Sequence, residues 1–264
     1  MSKKLCQTIL ITNDDGVHAE GIQHLWSIAQ TLADTVYLVA PERDSSGQAQ
    51  SLSLHTPLRI NAHGNKQFSV NGTPADCVLL GMREIARQPV DLVLSGINRG
   101  ANVGDAVGFS GTLGAAKVAA QFGVPAFGFS QAFKHADRIH WPTSVAYTAA
   151  LVSYLFRIPW AKAPCVNVNF PSIPVASVAG ASWCNGSEGS IQNVHVDARQ
   201  DPRLRQYYWL NFEHNYRNIK TPCADISTLR EHKIAVQSLN QANPFEAGTE
   251  IVLDKSSVKK EAAS

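Results

Sequence analysis

The chain lacks the features that would place it in several large functional classes. It has no charge excess: 23 Lys plus Arg stand against 21 Asp plus Glu, a formal net charge of +2 over 264 residues. Strong non-specific nucleic-acid binding draws on many clustered cations that displace counterions, so this balance predicts no stable nucleic-acid partner. Cysteine is scarce and scattered. Cys6, Cys77, Cys165, Cys184 and Cys223 are odd in number and form no C-x-x-C, which argues against a disulfide framework and for a reducing, cytoplasmic setting. Long apolar runs are missing too. The run after Met1-Ser-Lys-Lys is broken at Thr12-Asn13-Asp14-Asp15, too early for a signal segment, and Val145 to Phe156 is too short for a bilayer. No membrane association is expected.

The common nucleotide and hydrolase fingerprints are also absent. There is no G-x-G-x-x-G after the first strand-like run and no G-x-x-x-x-G-K-[ST]. Gly128-Phe-Ser130-Gln-Ala132 lacks the second glycine of a nucleophile elbow. No H-E-x-x-H occurs, and the nine histidines show no ligand spacing, which excludes an obvious zinc site.

What remains is ordinary globular composition, 44% hydrophobic and 17% charged, enough for a substantial core without staples. Compact β-branched runs (Thr8 to Thr12, Val36 to Ala40, Asp91 to Ser95, Val124 to Ser130, Cys165 to Phe170) alternate with helical patterns at Gly21 to Leu32, Thr112 to Phe122 and Ser144 to Phe156. Thr73-Pro74 reads as a helix start, with Thr73 as the cap. Ser53 to Ile60 and Gln67 to Val70 suggest an antiparallel insertion. The alternation predicts an α/β fold, a Rossmann-like, mostly parallel sheet with helices on both faces. From Ala181 the pattern changes. Tyr207 to Leu210 and Lys233 to Val236 look like strands without intervening helices, a C-terminal β-rich arm. The expected division is a catalytic core over 1–180, an oligomerisation arm over 181–253 and a flexible tail over 254–264.

In a wound parallel sheet, ligands bind beyond the carboxyl ends of the strands, so the loops that follow strands deserve a reading. They are Asn13-Asp14-Asp15-Gly16, Pro41-Glu-Arg-Asp-Ser45-Ser46-Gly47 and Gly96-Ile-Asn98-Arg99-Gly100-Ala-Asn102-Val-Gly104. Adjacent carboxylates repel each other unless a cation sits with them. Carboxylates joined by a Ser hydroxyl and an Asn amide form an oxygen-only set, suited to Mg²⁺ or Mn²⁺. Phe109-Ser110-Gly111-Thr112 before a helix offers free amides to an anion. Alone, the Asp14-Asp15 and Ser110 segments read equally well as a turn or a helix cap, and for Ser46-Gly47 and Asn98 that reading is the stronger one. Their succession after consecutive strands carries the functional reading.

Several motifs in one order then resemble the SurE family: Asn13-Asp14-Asp15-Gly16-Val-His-Ala-x-Gly21-Ile, Val39-Ala-Pro41 with Ser46-Gly47, Gly72-Thr-Pro-Ala-Asp76-Cys77, Ser95-Gly-Ile-Asn98-x-Gly100-x-Asn102-x-Gly104, and Ser110-Gly-Thr112. The resemblance runs from Thr8 to Pro171 and fades beyond it. It implies a cytoplasmic, divalent-metal-dependent phosphatase that hydrolyses nucleoside 5′- and 3′-monophosphates to nucleoside and phosphate. It further implies a Rossmann-like core and an arm that assembles homodimers or homotetramers. Carried over by residue, it implies Asp14, Asp15, Ser46 and Asn98 as metal ligands for one Mg²⁺ or Mn²⁺ per subunit. Asp14 and Asp15 would be catalytic. Asn13, Asn102, Ser110, Gly111 and Thr112 would lie around the phosphate. The attack could come from water or directly from an aspartate. Two rivals remain: hydrolysis of another substrate such as polyphosphate or a different small phosphomonoester, and a non-hydrolytic metal- and nucleotide-binding module.

Overall fold

Residues that are apolar on both sides of a strand need a layer of helices above and below the sheet, and the fold supplies both. A computed structural model describes residues 4–134, 139–240 and 244–253; the expected tail over 254–264 lies outside them. The elements in chain order are β1 (Cys6–Thr12), α1 (Glu20–Leu32), β2 (Ala33–Pro41), β3 (Ile60–Gly64), β4 (Gln67–Val70), α2 (Pro74–Leu80), β5 (Leu92–Arg99), α3 (Gly111–Gln121), β6 (Ala126–Gln131), α4 (Trp141–Arg157) and β7 (Cys165–Phe170). They continue with β8 (Gly180–Trp183), β9 (Ile191–Gln200), β10 (Gln206–His214), α5 (Asp225–Arg230), β11 (Lys233–Ser238) and β12 (Glu250–Ile251). The described strands form one ten-stranded sheet, ordered β12-β8-β11-β7-β6-β5-β1-β2-β4-β3, and a separate β10-β9 pair. The central run β7-β6-β5-β1-β2-β4 is parallel throughout. The expected α/β architecture is therefore present.

Two apolar layers close the sheet. On one face, Ile22, Leu25 and Ile28 of α1 and Leu151, Val152 and Leu155 of α4 pack on Ile9, Ile11, Leu94 and Phe127. The spacing of the α1 residues makes one helical stripe. On the other face, Ala75, Cys77 and Val78 of α2 and Ala115, Ala116, Val118 and Ala119 of α3 cover Leu10, Val39 and Val93. Small side chains let α3 approach closely. At Gly114 an added Cβ would stand 1.7 Å from the carbonyl oxygen of Ala49, so the loop after β2 lies directly on this helix. Helix α2 starts as its sequence indicates. The Thr73 hydroxyl accepts from the Asp76 amide at 3.1 Å and the Asp76 carboxylate accepts from the Thr73 amide at 2.9 Å, a reciprocal cap.

Three expectations need correction. Ser53 to Ile60 is not a strand; pairing begins only at Ile60, where β3 runs antiparallel to β4. The strand expected to stop at Ser95 extends to Arg99, with a register shift between Ser95 and Asn98, so Asn98 sits on a strand end rather than in a loop. Lys233 to Ser238, expected in the arm, enters the main sheet between β7 and β8, antiparallel to the first and parallel to the second. Only the short α5 precedes it, and antiparallel pairing with β7 needs no long crossover helix, so periodicity alone could not separate it from an arm. What stands off is the β9–β10 ribbon. Its strands are exposed almost throughout, with Val196, Tyr208, Trp209 and Leu210 uncovered.

Asp105 ties this ribbon to the core. Its carboxylate accepts from the amides of Ile191 (2.9 Å) and Gly189 (3.3 Å) at the ribbon's base, while its own amide donates to the Ser190 hydroxyl at 2.9 Å. The Ile191 amide chiefly, with those of Gly189 and Ser190, holds the Asp105 carboxyl below its ordinary value. A depressed carboxylate contributes its stabilisation above the ordinary carboxylate range and loses it as pH falls through the lowered value. Hydrogen exchange, corrected for intrinsic rates, should show the Ile191 amide protected at neutral pH and losing that protection in acid. Asp105→Asn should show weaker protection at neutral pH and no further acid-dependent loss.

Candidate functional site

The site grows from the end of β1. Asn13 is fully buried, and its amide nitrogen donates to the Gly16 carbonyl at 2.9 Å, closing the turn on itself. Gly16 adopts φ +99°, open to glycine, and the next amide, of Val17, reaches the Pro41 carbonyl at the end of β2 at 2.9 Å. The loops after β1 and β2 are thus bonded side by side. Ser45 continues the link by donating its amide to the Asp14 carbonyl at 2.8 Å.

Asp14 is buried and turned toward α3. The Thr112 hydroxyl donates to its Oδ1 at 2.5 Å and the Thr112 amide to its Oδ2 at 3.0 Å. The carboxylate therefore sits at the positive end of the helix, with a first-turn amide pointed at it. Gly111 makes this approach possible. A Cβ there would stand 2.9 Å from both Cβ and Oδ2 of Asp14 and 3.2 Å from the Ser45 carbonyl oxygen. Ser110 caps the helix, its hydroxyl accepting from the Leu113 amide at 3.1 Å. The helix start read as an anion site is thus occupied in part by the protein's own carboxylate.

Asp15 points elsewhere. It is half-buried, its Oδ2 accepts from the Arg99 amide at 3.2 Å, and it lines a cavity of about 540 Å³ with Glu20, Asp44, Arg99 and Trp141. Burial first, then the Asp14 charge, pushes the Asp15 carboxyl up to about 6. Burial also raises Asp14, opposed by its Thr112 bonds. Ser46 lies exposed on the loop after β2, with its amide on the Asp44 carboxylate at 2.8 Å. Asn98 commits its amide nitrogen to the Gly100 carbonyl at 2.9 Å.

Among the described residues no three His, Cys, Asp or Glu side chains gather into a ligand cluster. A cation here would draw on the two carboxylates, with neutral oxygens from Ser46 and Asn98. Two adjacent carboxylates, with a hydroxyl oxygen on the loop after β2 and an amide oxygen at the end of β5, suit a hard cation.

Asn102 goes inward. Its amide side chain donates to the Ser130 hydroxyl at 2.9 Å, and its backbone is clasped from β7. The Asn169 side chain accepts from the Asn102 amide at 2.8 Å and donates to the Asn102 carbonyl at 3.0 Å, while Asn167 donates to the same carbonyl at 2.9 Å. No hydrogen bond among the described residues joins the Asn102 side chain to the Asp14–Thr112 group. Sequence reading passed over Asn167 and Asn169 as structural supports. Their signal is the alternation Asn167-Val168-Asn169 in a buried strand, where asparagine is uncommon unless it is bonded and where alternate residues share a face.

Fold and site together define a class, an α/β protein with an acidic, oxygen-donor site at the carboxyl edge of a mostly parallel sheet. The particular family follows from comparison with known proteins. The family model described as Survival protein SurE matches residues 9–193, and the chain belongs to the SurE family. It is 42% identical to a protein of Methylocella silvestris named 5′-nucleotidase SurE, over 88% of this chain and 92% of the relative. It is 38% identical to one of the same name from Bradyrhizobium diazoefficiens, over 92% of this chain and 96% of the relative. The crystal structure of SurE protein from Aquifex aeolicus superimposes with a TM-score of 0.75 at 29% identity, covering 88% of this chain and 92% of that one.

Thr112 is the support that can be removed with least change of shape. Thr112→Val deletes the hydroxyl bond to a buried carboxylate and should lower stability by about 1.5–3 kcal/mol, the usual range for a bond to a charged group. Chemical denaturation of the two proteins measures it.

Proposed function

We propose that the chain is a divalent-metal-dependent phosphomonoesterase that hydrolyses nucleoside 5′- and 3′-monophosphates to nucleoside and phosphate. The observation that carries the reading is the Asp14–Asp15 pair at the end of β1, one carboxylate anchored on the α3 start and the other facing a cavity. The relatives' name, 5′-nucleotidase SurE, supports its nucleotidase part.

Asp14, Asp15, Ser46 and Asn98 would hold one Mg²⁺ or Mn²⁺ per subunit. The bound ion would neutralise phosphoryl charge and polarise the phosphorus centre. The remaining work falls to the chain. Asp14, held by the two bonds from Thr112, would act as a fixed support. Asp15 lines the cavity that solvent can enter, so it is the group that orients and deprotonates an attacking water. Asn13, Ser110, Gly111 and Thr112 would lie around the phosphate oxygens. Asn102 shapes the neighbouring loop through its clasp on β7.

The exposed β9–β10 ribbon, with its uncovered Tyr208, Trp209 and Leu210, supports a homodimer or homotetramer. Among the described residues no helix is long and apolar enough to cross a membrane. A cytoplasmic location fits the scattered, free cysteines.

Phosphate release from nucleoside monophosphates, glycerol 2-phosphate and tripolyphosphate, with and without chelator, tests the reading. Nucleoside monophosphates should be cleaved fastest, and the chelator should abolish activity until Mg²⁺ or Mn²⁺ is restored. Preference for tripolyphosphate would shift the substrate, and metal binding without release would leave a binding module. Asp14→Asn should lose about 100-fold or more in kcat/KM, as expected for a charged group that supports a transition state. Adding Mn²⁺ should raise the thermal midpoint of the original protein but not of Asp14→Asn, because only a ligand that binds the native state stabilises it. Light scattering should return a mass of two or four chains.

A further inference from the structure

A second cavity, of about 610 Å³, opens on the same carboxyl edge of the sheet. Its walls come from the loops after three successive parallel strands: Ala101 and Val103 after β5, Phe133 after β6, and the turn after β7. Tyr216, Ile226 and Leu229 close the far side. The segment from the end of β5 to Val103 is therefore shared, with Arg99 lining the acidic cavity and Ala101 and Val103 lining this one. The partition between the two cavities is the Arg99–Phe133 pair, whose guanidinium carbon lies 5.8 Å from the ring centroid.

The two cavities differ in chemistry. The acidic one has three carboxylates, from Asp15, Glu20 and Asp44, a setting for a cation and unfavourable for an electron-rich ligand. The larger one has no carboxylate among its described lining residues, and carries apolar side chains, the rings of Phe133, Tyr216 and His232, the Ser172 hydroxyl and the cations Lys134 and Arg230. Its aromatics are preorganised. Tyr216 lies nearly parallel to His214, 10° between planes and 5.2 Å between centroids, so one face of its ring is already covered. The Arg230 guanidinium donates to the Tyr216 and Ile219 carbonyls and holds that turn in place. The floor is a small core of Val103, Ile219 and Ile226 that packs with Ala101 and Leu229. Phe133 and Tyr216 each keep 37% of their surface exposed, leaving ring area for a planar partner.

We propose that this cavity binds the nucleoside part of the substrate, its base against Tyr216 and Phe133, while the phosphate reaches across the shared loop toward Asp14 and Asp15. The assignment rests on the nucleotidase reading above. A pocket of this volume accommodates a base and a pentose, and stacking on a ring already backed by a second ring costs little ordering. Few fixed polar groups face the cavity, so the pocket would read the shape and planarity of a base rather than its hydrogen-bonding edge.

The test uses the full chain and two readouts. In Mn²⁺, the ratio of KM for glycerol 2-phosphate to KM for AMP should fall about fivefold or more in Tyr216→Ala and in Phe133→Ala, the scale of one lost apolar contact. Tyr216→Phe keeps the ring and should retain the ratio. Adenosine, followed by saturation-transfer NMR without metal, should bind the original protein and Tyr216→Phe and lose about fivefold or more in affinity in Tyr216→Ala. Ratios and adenosine affinities within twofold of the original in both alanine variants would overturn the proposal. So would an adenosine signal abolished by Trp141→Ala but kept in Tyr216→Ala, which would put the nucleoside in the acidic cavity. A protein that binds adenosine through Tyr216 yet releases no phosphate would leave the pocket standing and remove the nucleotidase reading instead.

Discussion

The contact on which the site depends is the seat of the Asp14 carboxylate on the first turn of α3. One residue, Thr112, supplies both of its donors, a hydroxyl and a backbone amide. A buried carboxylate in an apolar sheet would be costly without such partners, and the helix terminus offers unpaired amides where the carboxylate needs them. The arrangement also requires a glycine. With Gly111 the helix comes within van der Waals reach of Asp14, and any side chain there would push the β1 loop away. Three segments distant in sequence, the ends of β1 and β2 and the start of α3, are locked around that one contact.

The same edge of the sheet is organised a second time by neutral groups. Asn167 and Asn169 share one face of β7 and clasp the backbone of Asn102, so a loop rich in glycine and lacking regular structure is held almost as a strand would be. This leaves Arg99 beside the acidic cavity and Ala101 and Val103 beside the other. Charge is thereby segregated: carboxylates gather in one cavity, and apolar and aromatic surface in its neighbour. A phosphate ester has the same division, a charged end and an organic end.

Legibility from the sequence followed the range of the forces involved. The strands β1, β2, β6 and β7 and the cap of α2 were readable because burial on both faces, Thr73-Pro74 and the Asp76 carboxylate act within a few residues. Placing Asp14 and Ser46 in loops after strands was readable for the same reason, since those loops begin where apolar runs stop, whereas Asn98 falls on the end of β5 itself. The place of β11 inside the main sheet was not readable. Its Ile-Ala-Val run is compatible with an arm, and only pairing with β7 and β8 distinguishes the two. Nor could spacing reveal that Asn102 turns inward to Ser130, because the direction of a side chain in an irregular loop depends on partners 28 and 67 residues away.

The sequence by itself therefore determined the α/β class, the near-neutral balance of charge and the succession of polar loops at strand ends. These are properties of composition and of period, which local sterics and burial enforce wherever the chain is read. The tertiary structure alone decided that Asp14 faces a helix start while Asp15 faces a cavity, although the two are adjacent and chemically identical. Neighbours contributed by α3 and β5 made that difference, and contacts across about 84 to 98 positions have no signature in a window of residues.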